Sequence, residues 1–364
     1  MKIIINRVAL QNAIAAASPA AVSRIKPVLQ CVRIAADGEK VSVAATDLEI
    51  SIVVETSLVQ VESSGVVLVP ADKIRDIVRE TSDETLALET VGETLSVKGS
   101  DSRFKVYTFP ALDFPPVPDR PEKASYTVTA GQLKRGIRQA LVAIDNKPTR
   151  PTYGGALASI VSGRLAMAGT DGRRMSLSYV NVNDADKDAA AVIIPTRALS
   201  AIDKLLTDAG ELIEVAVTDN RATFSTSDWV LTTNVIEGQF PSYAEVIPKE
   251  CDRKITAGTA DLLSAVRRSA LLTTPDSKGV RFSFSASGLV MTGSSPSSGE
   301  ATIDFACKFE GANLDIGFNP AFFNDGLKAA ETDEITFEML APNRPGLMKA
   351  GRDFTYVVMP VNLQ

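Results

Sequence analysis

The sequence predicts an α+β protein made of three tandem copies of one domain, each with two helices and many antiparallel strands. An amphipathic segment that reads as a strand followed by a helix opens the chain and recurs from Tyr126 and from Arg253. A proline that begins a second helical stretch recurs every 125 residues, at Pro70, Pro195 and Pro320. This period is longer than a solenoid or propeller unit, which has roughly 20 to 50 residues. It matches a domain of about 100 to 150 residues.

The helix of the second opening has an apolar stripe and a basic face. Residues at helical spacing predict the buried stripe, namely Leu133, Ile137, Ala140 and Leu141. The other face is predicted to carry Lys134, Arg135 and Arg138. For any single helix, an ordinary solvated face is a sufficient explanation of such charges.

Basic helix faces recur in other copies. In the third opening, Leu262, Val266 and Leu271 are predicted to face inward, while Arg267 and Arg268 project. The second helices of the first two copies carry Lys73, Arg75, Arg79, Arg197 and Lys204. Because acidic residues are expected mainly in strands and turns, this recurrence favours a shared role for the basic faces. The opening helix of the first copy is an exception, since it has almost no charge.

Most of the remaining sequence alternates in period two and is rich in Val, Ile, Thr and Ser, which predicts antiparallel strands joined by short turns. Residues 170–175 predict a turn that leads two arginines into a strand, and residues 294–300 predict a hairpin loop. The apolar segment Val357–Val361 is expected to be an edge strand of the third core, to line a groove, or both. Proline-containing linkers predict domains that span residues 1–122, 123–250 and 251–364.

Composition limits the classes of function. The 364 residues are 45% hydrophobic, which is enough for three buried cores, and no apolar run reaches the roughly 18 to 20 residues of a membrane span. The first residues lack the features of a secretory signal, so a cytoplasmic protein is expected. Cys31, Cys251 and Cys307 are odd in number and widely spaced, which favours reduced, packed thiols.

The chain has no histidine, the commonest general base and metal ligand. It also lacks the motifs that bind dinucleotides, phosphates or metals, so no catalytic residue, cofactor or metal is expected. Carboxylate pairs such as Asp47 with Glu49, or Asp261 with Asp304, leave open a β-rich hydrolase that uses carboxylates. Another alternative is a structural or ligand-binding repeat protein, which would not need recurring basic faces. The net charge of −6 argues against nucleic-acid binding only as an average over the surface.

Several segments together resemble one known family. They are the TDLE and TDGRRM strand starts, the LDFPP and GQFPSY segments, GFNPAFF, and YVVMPVNL near the C-terminus. Their order and spacing over the whole chain resemble the β subunits of bacterial DNA polymerase III, the sliding clamps. The resemblance implies clamp domains of two helices backed by two antiparallel sheets, and a head-to-tail dimer that forms a six-domain ring. It further implies a non-enzymatic processivity factor of DNA replication that encircles double-stranded DNA without reading its sequence.

The same resemblance assigns basic residues to the inside of the ring, where they would attract DNA phosphates. The implied DNA-facing residues are Arg24, Lys73, Arg138, Lys147, Arg150 and Arg197.

The resemblance also implies an apolar pocket between the second and third copies. It would bind short linear motifs of the replicative DNA polymerase, the clamp loader and repair proteins. The implied pocket residues are Thr170, Gly172, Arg174, Met175, Pro241, Val246, Asn319, Val357, Val358, Met359 and Pro360. Four nearby positions depart from the usual pattern: Arg173 replaces a frequent histidine, Phe322 a tyrosine, Ser277 a bulky aromatic residue and Glu245 a base. These changes alter the expected peptide preference.

The implied ring interface joins the first copy of one chain to the third copy of another. Phe104, Leu271 and Leu272 occupy the matching places. For the two leucines, ordinary core packing is the alternative explanation.

Overall fold

The protein is described by a computed structural model that covers residues 1–23, 25–145, 147–186, 188–274 and 279–363. Its contacts divide it into two compact units, each made of three segments. Unit 1 comprises Met1–Gly131, Asn183–Ala190 and Arg197–Val235. Unit 2 comprises Gln132–Val182, Ala191–Thr196 and Ile236–Gln364.

The predicted repeat is confirmed by the order of the elements, which is the same in the first and third copies and differs by one strand in the second. The first copy contains β1 (Lys2–Asn6), α1 (Arg7–Ala17), β2 (Cys31–Asp37), β3 (Lys40–Thr46), β4 (Ile50–Thr56), β5 (Val59–Ser63), β6 (Gly65–Pro70), α2 (Ala71–Glu80), β7 (Thr85–Val91), β8 (Thr94–Lys98) and β9 (Arg103–Tyr107). The second contains β10 (Tyr126–Thr129), α3 (Ala130–Leu141), β11 (Gly155–Val161), β12 (Arg164–Thr170), β13 (Arg174–Asn181), β14 (Val192–Pro195), α4 (Thr196–Leu205), β15 (Leu212–Val217), β16 (Arg221–Ser225) and β17 (Trp229–Asn234), followed by the single turn α5 (Tyr243–Val246).

The third copy contains β18 (Arg253–Gly258), α6 (Thr259–Ser269), β19 (Val280–Ser285), β20 (Gly288–Ser295), β21 (Gly299–Phe305), β22 (Lys308–Glu310), β23 (Leu314–Phe318), α7 (Pro320–Ala329), β24 (Glu334–Met339), β25 (Gly346–Ala350) and β26 (Phe354–Val358). Within the described residues, the second copy has no strand that corresponds to β5 and β22.

Unit 1 contains two antiparallel sheets. One has the order β5-β1-β7-β8-β9 and belongs entirely to the first copy. The other has the order β10-β15-β16-β17-β4-β3-β2-β6, and the pairing of β17 with β4 joins the second copy to the first. The sheet therefore continues across the boundary between two copies.

Unit 2 repeats this arrangement. Its larger sheet has the order β14-β11-β12-β13-β26-β25-β24-β18-β22, and the pairing of β13 with β26 joins the second copy to the third. Its smaller sheet has the order β21-β20-β19-β23. The prediction of an edge strand at Val357–Val361 is wrong, because β26 is hydrogen-bonded on both sides and its second partner belongs to another copy.

The core of the third copy lies between α6, α7 and the two sheets of unit 2, where aromatic rings pack edge-on or tilted. Phe282, Phe318, Phe323 and Phe337 are all nearly inaccessible to solvent, and their ring centroids lie 4.9–5.5 Å apart in the four closest pairs. Aromatic pairs in this geometry attract each other, and this attraction adds to the stabilisation from burying their surface.

The inward orientation predicted for Leu271 is wrong. Leu262 and Val266 are fully buried, but α6 ends at Ser269, and Leu271 lies in the turn beyond it with 76% of its surface exposed. A residue outside the helix no longer follows the 3.6-residue period, so the apolar stripe does not extend to it.

The basic face predicted for α2 is also largely neutralised. Lys73 pairs with Asp72, and Arg79 lies close to both Asp76 and Glu80. The acidic partners are on the helix itself.

Within the described residues, no helix is long and apolar enough to cross a membrane. The three cysteines are free thiols, as predicted, and Cys31 is buried. Burial raises the pKa of the Cys31 thiol to about 11, so this group stays protonated and unreactive at neutral pH.

Candidate functional site

The segment Thr170–Arg174 forms the tight turn between β12 and β13 in unit 2. Asp171 accepts hydrogen bonds from the amides of Arg173 and Arg174 at 2.9 and 3.0 Å. The hydroxyl of Thr170 donates to the carbonyl of Arg174 at 2.7 Å and accepts from the amide of Gly172 at 3.1 Å. Gly172 has φ +82°, which a glycine adopts at little cost. These hydrogen bonds hold the backbone of the turn and therefore the Cα position of Arg174.

Arg174 links the second copy to the third within unit 2. Its guanidinium pairs with Asp171 at 3.0 Å and with Asp325 of α7 at 2.7 Å. The same group lies 4.3 Å from the centroid of the Phe322 ring. Ion pairing in its plane and stacking on its face together determine the position of the guanidinium.

Tyr356 supports this arrangement from β26. It is fully buried, and its hydroxyl donates to the carbonyl of Phe322 at 2.9 Å. Burial raises the pKa of Tyr356, and the nearby Arg174 only partly opposes this effect. Burial disfavours the charge on Arg174, but Tyr356, Asp325 and Asp171 outweigh it and raise the pKa of Arg174. The tyrosine is therefore neutral and the arginine charged throughout the physiological range.

Beside this network lies an open cavity of about 500 Å³. Its lining includes the aromatic ring of Phe322, the stacked Arg174 and the exposed Arg173. The remaining lining residues are Ile144, Asp145, Lys147, Thr149 and Asp171. A volume of this size is within the usual range for ligand pockets, about 300 to 1,000 Å³.

An apolar cluster adjoins the cavity residues through β13 and β26. Met175, Leu347 and Val357 are buried together, and Tyr243 and Ile247 pack against them. The last two residues belong to the segment around α5. The strand pairing of Met175 with Val357 sets the base of this cluster.

The chain continues from β26 along the same surface. The amide of Met359 donates to the carbonyl of Arg173 at 2.8 Å, which holds it beside the turn. Met359 is 39% exposed, and Pro360 is half-buried. The amide of Val361 donates to the carbonyl of Gly317 at 2.9 Å, so the next residues are bound to β23.

The structure thus places the residues predicted for the pocket in unit 2. Thr170, Met175, Val357 and Val358 are buried beneath the surface, and Gly172, Met359 and Val246 are exposed. Asn319 begins α7 by accepting a hydrogen bond from the amide of Ala321 at 2.9 Å. Pro241 is half-buried in the segment that leads to α5. Of the four variant positions, Arg173 and Glu245 are exposed, Phe322 is the stacked ring, and Ser277 lies outside the described residues.

Sequence reasoning did not identify three contributors to this surface, Asp325, Leu347 and Tyr356. Asp325 is 151 positions from Arg174 along the chain. Its one local signal is the position five residues after Pro320, on the first turns of α7. A single sequence cannot pair residues at such separations.

The residues predicted to face DNA are exposed wherever the structure describes them. Lys73 lies on α2 and Arg197 on α4, both in unit 1. In unit 2, Arg138 lies on α3, whereas Lys147 and Arg150 lie in the loop after it. Lys147 also lines the cavity described above, and Arg24 lies outside the described residues.

Arg197 has acidic partners. Its guanidinium contacts the buried carboxylate of Asp47 and lies 3.5 Å from Glu49. Arg150 lies over the ring of Tyr153, 5.7 Å from its centroid. These contacts orient both cations and leave part of each guanidinium at the surface.

The three residues predicted for a chain–chain interface are all accessible. Phe104 is 36% exposed on β9, an edge strand of unit 1. Leu271 is exposed and Leu272 half-buried in the turn after α6 of unit 2, and Leu272 lies close to Gly299, the first residue of the edge strand β21. Exposed apolar residues next to unpaired strand edges are unusual for surfaces that remain in water.

No group of three or more acidic, cysteine or histidine side chains capable of holding a metal ion occurs in the part of the chain that the structure describes.

Three family models match the chain in order. Residues 1–118 match the N-terminal domain of the DNA polymerase III beta subunit, residues 127–242 the central domain, and residues 244–362 the C-terminal domain.

The chain is also similar to curated and solved proteins over almost its whole length. It is 29% identical to the beta sliding clamp of Pseudomonas putida over 340 residues, 93% of each chain. It is 29% identical to that of Escherichia coli over 332 residues, 90% of each chain. A crystal structure of a sliding clamp from Pseudomonas aeruginosa bound to griselimycin matches with a TM-score of 0.95 at 27% identity and covers 100% of both chains.

The contacts of Arg174 predict a stability effect that its neighbour does not share. Arg174→Met leaves Asp171 without its cation, leaves Asp325 with only Lys328 at 3.6 Å, and removes the stacked contact with Phe322. We expect the free energy of unfolding to fall by roughly 1 to 3 kcal/mol. Arg173→Met is the same change at an exposed position, and its free energy of unfolding should differ from that of the original protein by no more than about 0.5 kcal/mol. Denaturant unfolding measures both, and equal effects would contradict the linking role of Arg174.

Proposed function

Because the chain belongs to the DNA polymerase III beta-subunit family, we propose that it is a sliding clamp that holds DNA polymerase on its template. The observation that carries this proposal is the match of all three domains of that family, in order, to residues 1–118, 127–242 and 244–362. A protein of this family is a processivity factor and not an enzyme, and the relatives named above give the carboxylate hydrolase no support. The clamp acts on DNA in the cytoplasm, associated with the nucleoid.

The domains of the clamp span residues 1–122, 123–250 and 251–364. The family models support these limits because their matches end at 118 and 242 and resume at 127 and 244. The first proposed boundary falls in the gap between the first two matches, and the second falls a few residues inside the match that begins at 244. Residues 119–125 and 247–252 also contain no helix or strand.

Two chains form the ring by the type of strand pairing that joins the copies inside each chain. The pairings β17 with β4 and β26 with β13 use one strand from each neighbouring copy. By element order, β9 corresponds to β17 and β26, and β21 corresponds to β4 and β13. Both β9 and β21 are unpaired edges in one chain. Pairing β9 with β21 of a second copy, twice, closes a ring of six domains.

The internal pairings also give the register of this interface. Leu231 lies opposite Ile52 in the first internal joint. Phe104 corresponds to Leu231, because each of them pairs with a residue on the preceding strand and six residues separate the two members of the pair. Ala301 corresponds to Ile52, because each pairs with the sixth residue of the preceding strand, which is β20 for Ala301 and β3 for Ile52. We therefore place Phe104 opposite Ala301 of the second copy.

Charge complementarity supports this register. One residue further on, Lys105 lies opposite Glu300 of the second copy, and Arg103 lies diagonal to Glu300 and Asp304. All four side chains are exposed in the single chain. Opposite charges directly across a strand pair stabilise it by up to about 1 kcal/mol. Phe104, Leu271 and Leu272 then form the apolar part of the interface.

Double-stranded DNA passes through the ring and is held without sequence preference. The proposed DNA-facing residues are Arg24, Lys73, Arg138, Lys147, Arg150 and Arg197. The ion pairs on α2 and at Arg197 reduce the free positive charge, so the attraction for phosphate is modest. Retention then depends on encirclement more than on affinity.

The groove of unit 2 receives linear motifs of the replicative polymerase, the clamp loader and repair proteins. Its residues are Thr170, Gly172, Arg174, Met175, Pro241, Val246, Asn319, Val357, Val358, Met359 and Pro360. An open cavity beside buried Met175 and Val357 suits an extended peptide with apolar anchors. Arg173 and Glu245 put opposite charges near the groove, so a peptide with complementary charges at its two ends is preferred.

We predict that retention on DNA is topological. The protein is loaded onto a nicked circular duplex by its own clamp loader, and the salt concentration is then raised. Bound protein should resist salt on the circle and be released when the circle is cut, because a ring slides off a free end. Direct binding to a short duplex should be weak and should fall steeply with salt. Equal retention on circular and linear DNA would contradict the proposal that the protein forms a ring around DNA.

We predict that Met359→Ala weakens peptide binding roughly ten-fold. The substitution removes apolar surface from the groove, and each buried methylene contributes about 0.8 kcal/mol, while tenfold in affinity is about 1.4 kcal/mol. The probe is a peptide with leucine and phenylalanine anchors, titrated by calorimetry. Leu58→Ala, at an exposed leucine of unit 1, is the matched control and should bind as the original does. If both variants bind alike, Met359 is not part of the site.

A further inference from the structure

Unit 1 contains a cavity of about 350 Å³ beside the paired strands β4 and β17. Apolar groups form part of its wall, and Trp229 among them is only 6% exposed. The other apolar lining residues are Val53, Val117, Pro118 and Val230. The rest of the lining is polar or charged, with Lys40, Glu55, Asp119, Arg120, Ser227 and Asp228.

The corresponding place in unit 2 can be identified from backbone hydrogen bonds. The amide of Glu55 donates to the carbonyl of Asp228 at 2.8 Å, and the amide of Tyr179 donates to the carbonyl of Asp353 at 2.8 Å. Both bonds lie at the joint between two copies and at the same place in the strand order. Glu55 and Tyr179 therefore occupy equivalent positions.

The loop that covers the joint gives a second equivalence. The sequence Phe-Pro-Pro-Val-Pro begins at Phe114, and Phe-Pro-Ser-Tyr-Ala begins at Phe240, so Val117 corresponds to Tyr243. In unit 2, Tyr179 and Tyr243 pack against one buried apolar cluster, which consists of Ala166, Ala168, Leu177, Ile193 and Phe240. Unit 1 has a carboxylate and a small apolar side chain in place of these two phenol rings, and the cavity lies there.

A cation is present at the same position in both units. Arg164 is the first residue of β12, and its guanidinium lies 5.4 Å from the centroid of the Tyr179 ring. Lys40 is the first residue of β3 and lines the cavity, with its ammonium 3.1 Å from Glu55. A ring that entered the cavity would therefore lie beside a cation, a favourable partner for an aromatic face.

We propose that this cavity is a docking site for a tyrosine side chain presented by a partner protein. The ring occupies the space that Tyr179 and Tyr243 fill in unit 2, against Val53 and Val230, which face the same side of the sheet. Its hydroxyl donates to the carboxylate of Glu55 or Asp228. The site is independent of the proposed function, because its lining shares no residue with the DNA-facing set, the peptide groove or the ring interface.

Trp229 is the single tryptophan of the chain and belongs to the strand that borders this cavity, so its fluorescence is the reporter of binding there. The probe is N-acetyl-tyrosinamide, with excitation at the red edge, where only tryptophan absorbs. We expect a saturable change with a dissociation constant on the order of millimolar, as for other ligands of this size. N-acetyl-leucinamide should give no saturable change, because it offers neither a ring nor a hydroxyl.

The variant E55Y with V117Y fills the cavity from within and should raise the dissociation constant at least ten-fold. Glu334→Tyr, at an exposed position on β24, is the matched control and should leave it unchanged. If thermal unfolding shows that the double variant is not folded, V117Y alone takes its place. No saturable change in the original protein, equal binding of the leucine probe, or unaltered binding to the filled variant would each overturn the proposal.

Discussion

Backbone hydrogen bonding between strands of different copies is the constraint on which the rest of the structure depends. Strand edges carry unpaired donors and acceptors and are costly to leave open. The chain pairs β4 with β17 and β13 with β26, and both joints continue a sheet from one copy into the next. Three copies joined in this way leave one edge of each kind, β9 and β21. The proposed ring with a second chain uses the same kind of pairing that builds each unit.

The two internal joints share their geometry and differ in their side chains. At each joint a Thr-Asp turn uses the threonine hydroxyl and the aspartate carboxylate in the same way, and the third residue has a positive φ, 77° at Leu48 and 82° at Gly172. At the second turn, Asp171 engages Arg174, and the glycine lies beside Tyr153. At the first, Asp47 engages Arg197 instead. The same turn geometry therefore lies beside the proposed peptide groove in unit 2 and holds an ion pair with α4 in unit 1.

The repeat, the helix positions and the family could be read from the sequence because they depend on local periodicity and spacing, as at Pro70 and Pro195. The wrong or missing predictions concern residues whose positions depend on where a helix ends or on contacts between distant parts of the chain. Leu271 lies about half a turn away from Leu262 at 3.6 residues per turn, and the helix ends before it, at Ser269. Val357 read as an edge because its second partner, β13, is far away in the chain. Asp325 was missed for the same reason, since nothing local pairs it with Arg174.

The proposed strand pair of β9 with β21 of a second copy is tested most directly by the mass of the protein in solution. Light scattering at micromolar concentration is applied to the original chain, K105E, E300K and the variant that carries both changes. We expect twice the mass of one chain for the original, a dimer weakened roughly ten-fold in each single variant by like charges across the strands, and recovery in the double variant. A monomeric original protein, or a double variant no stronger as a dimer than the single ones, would contradict this register.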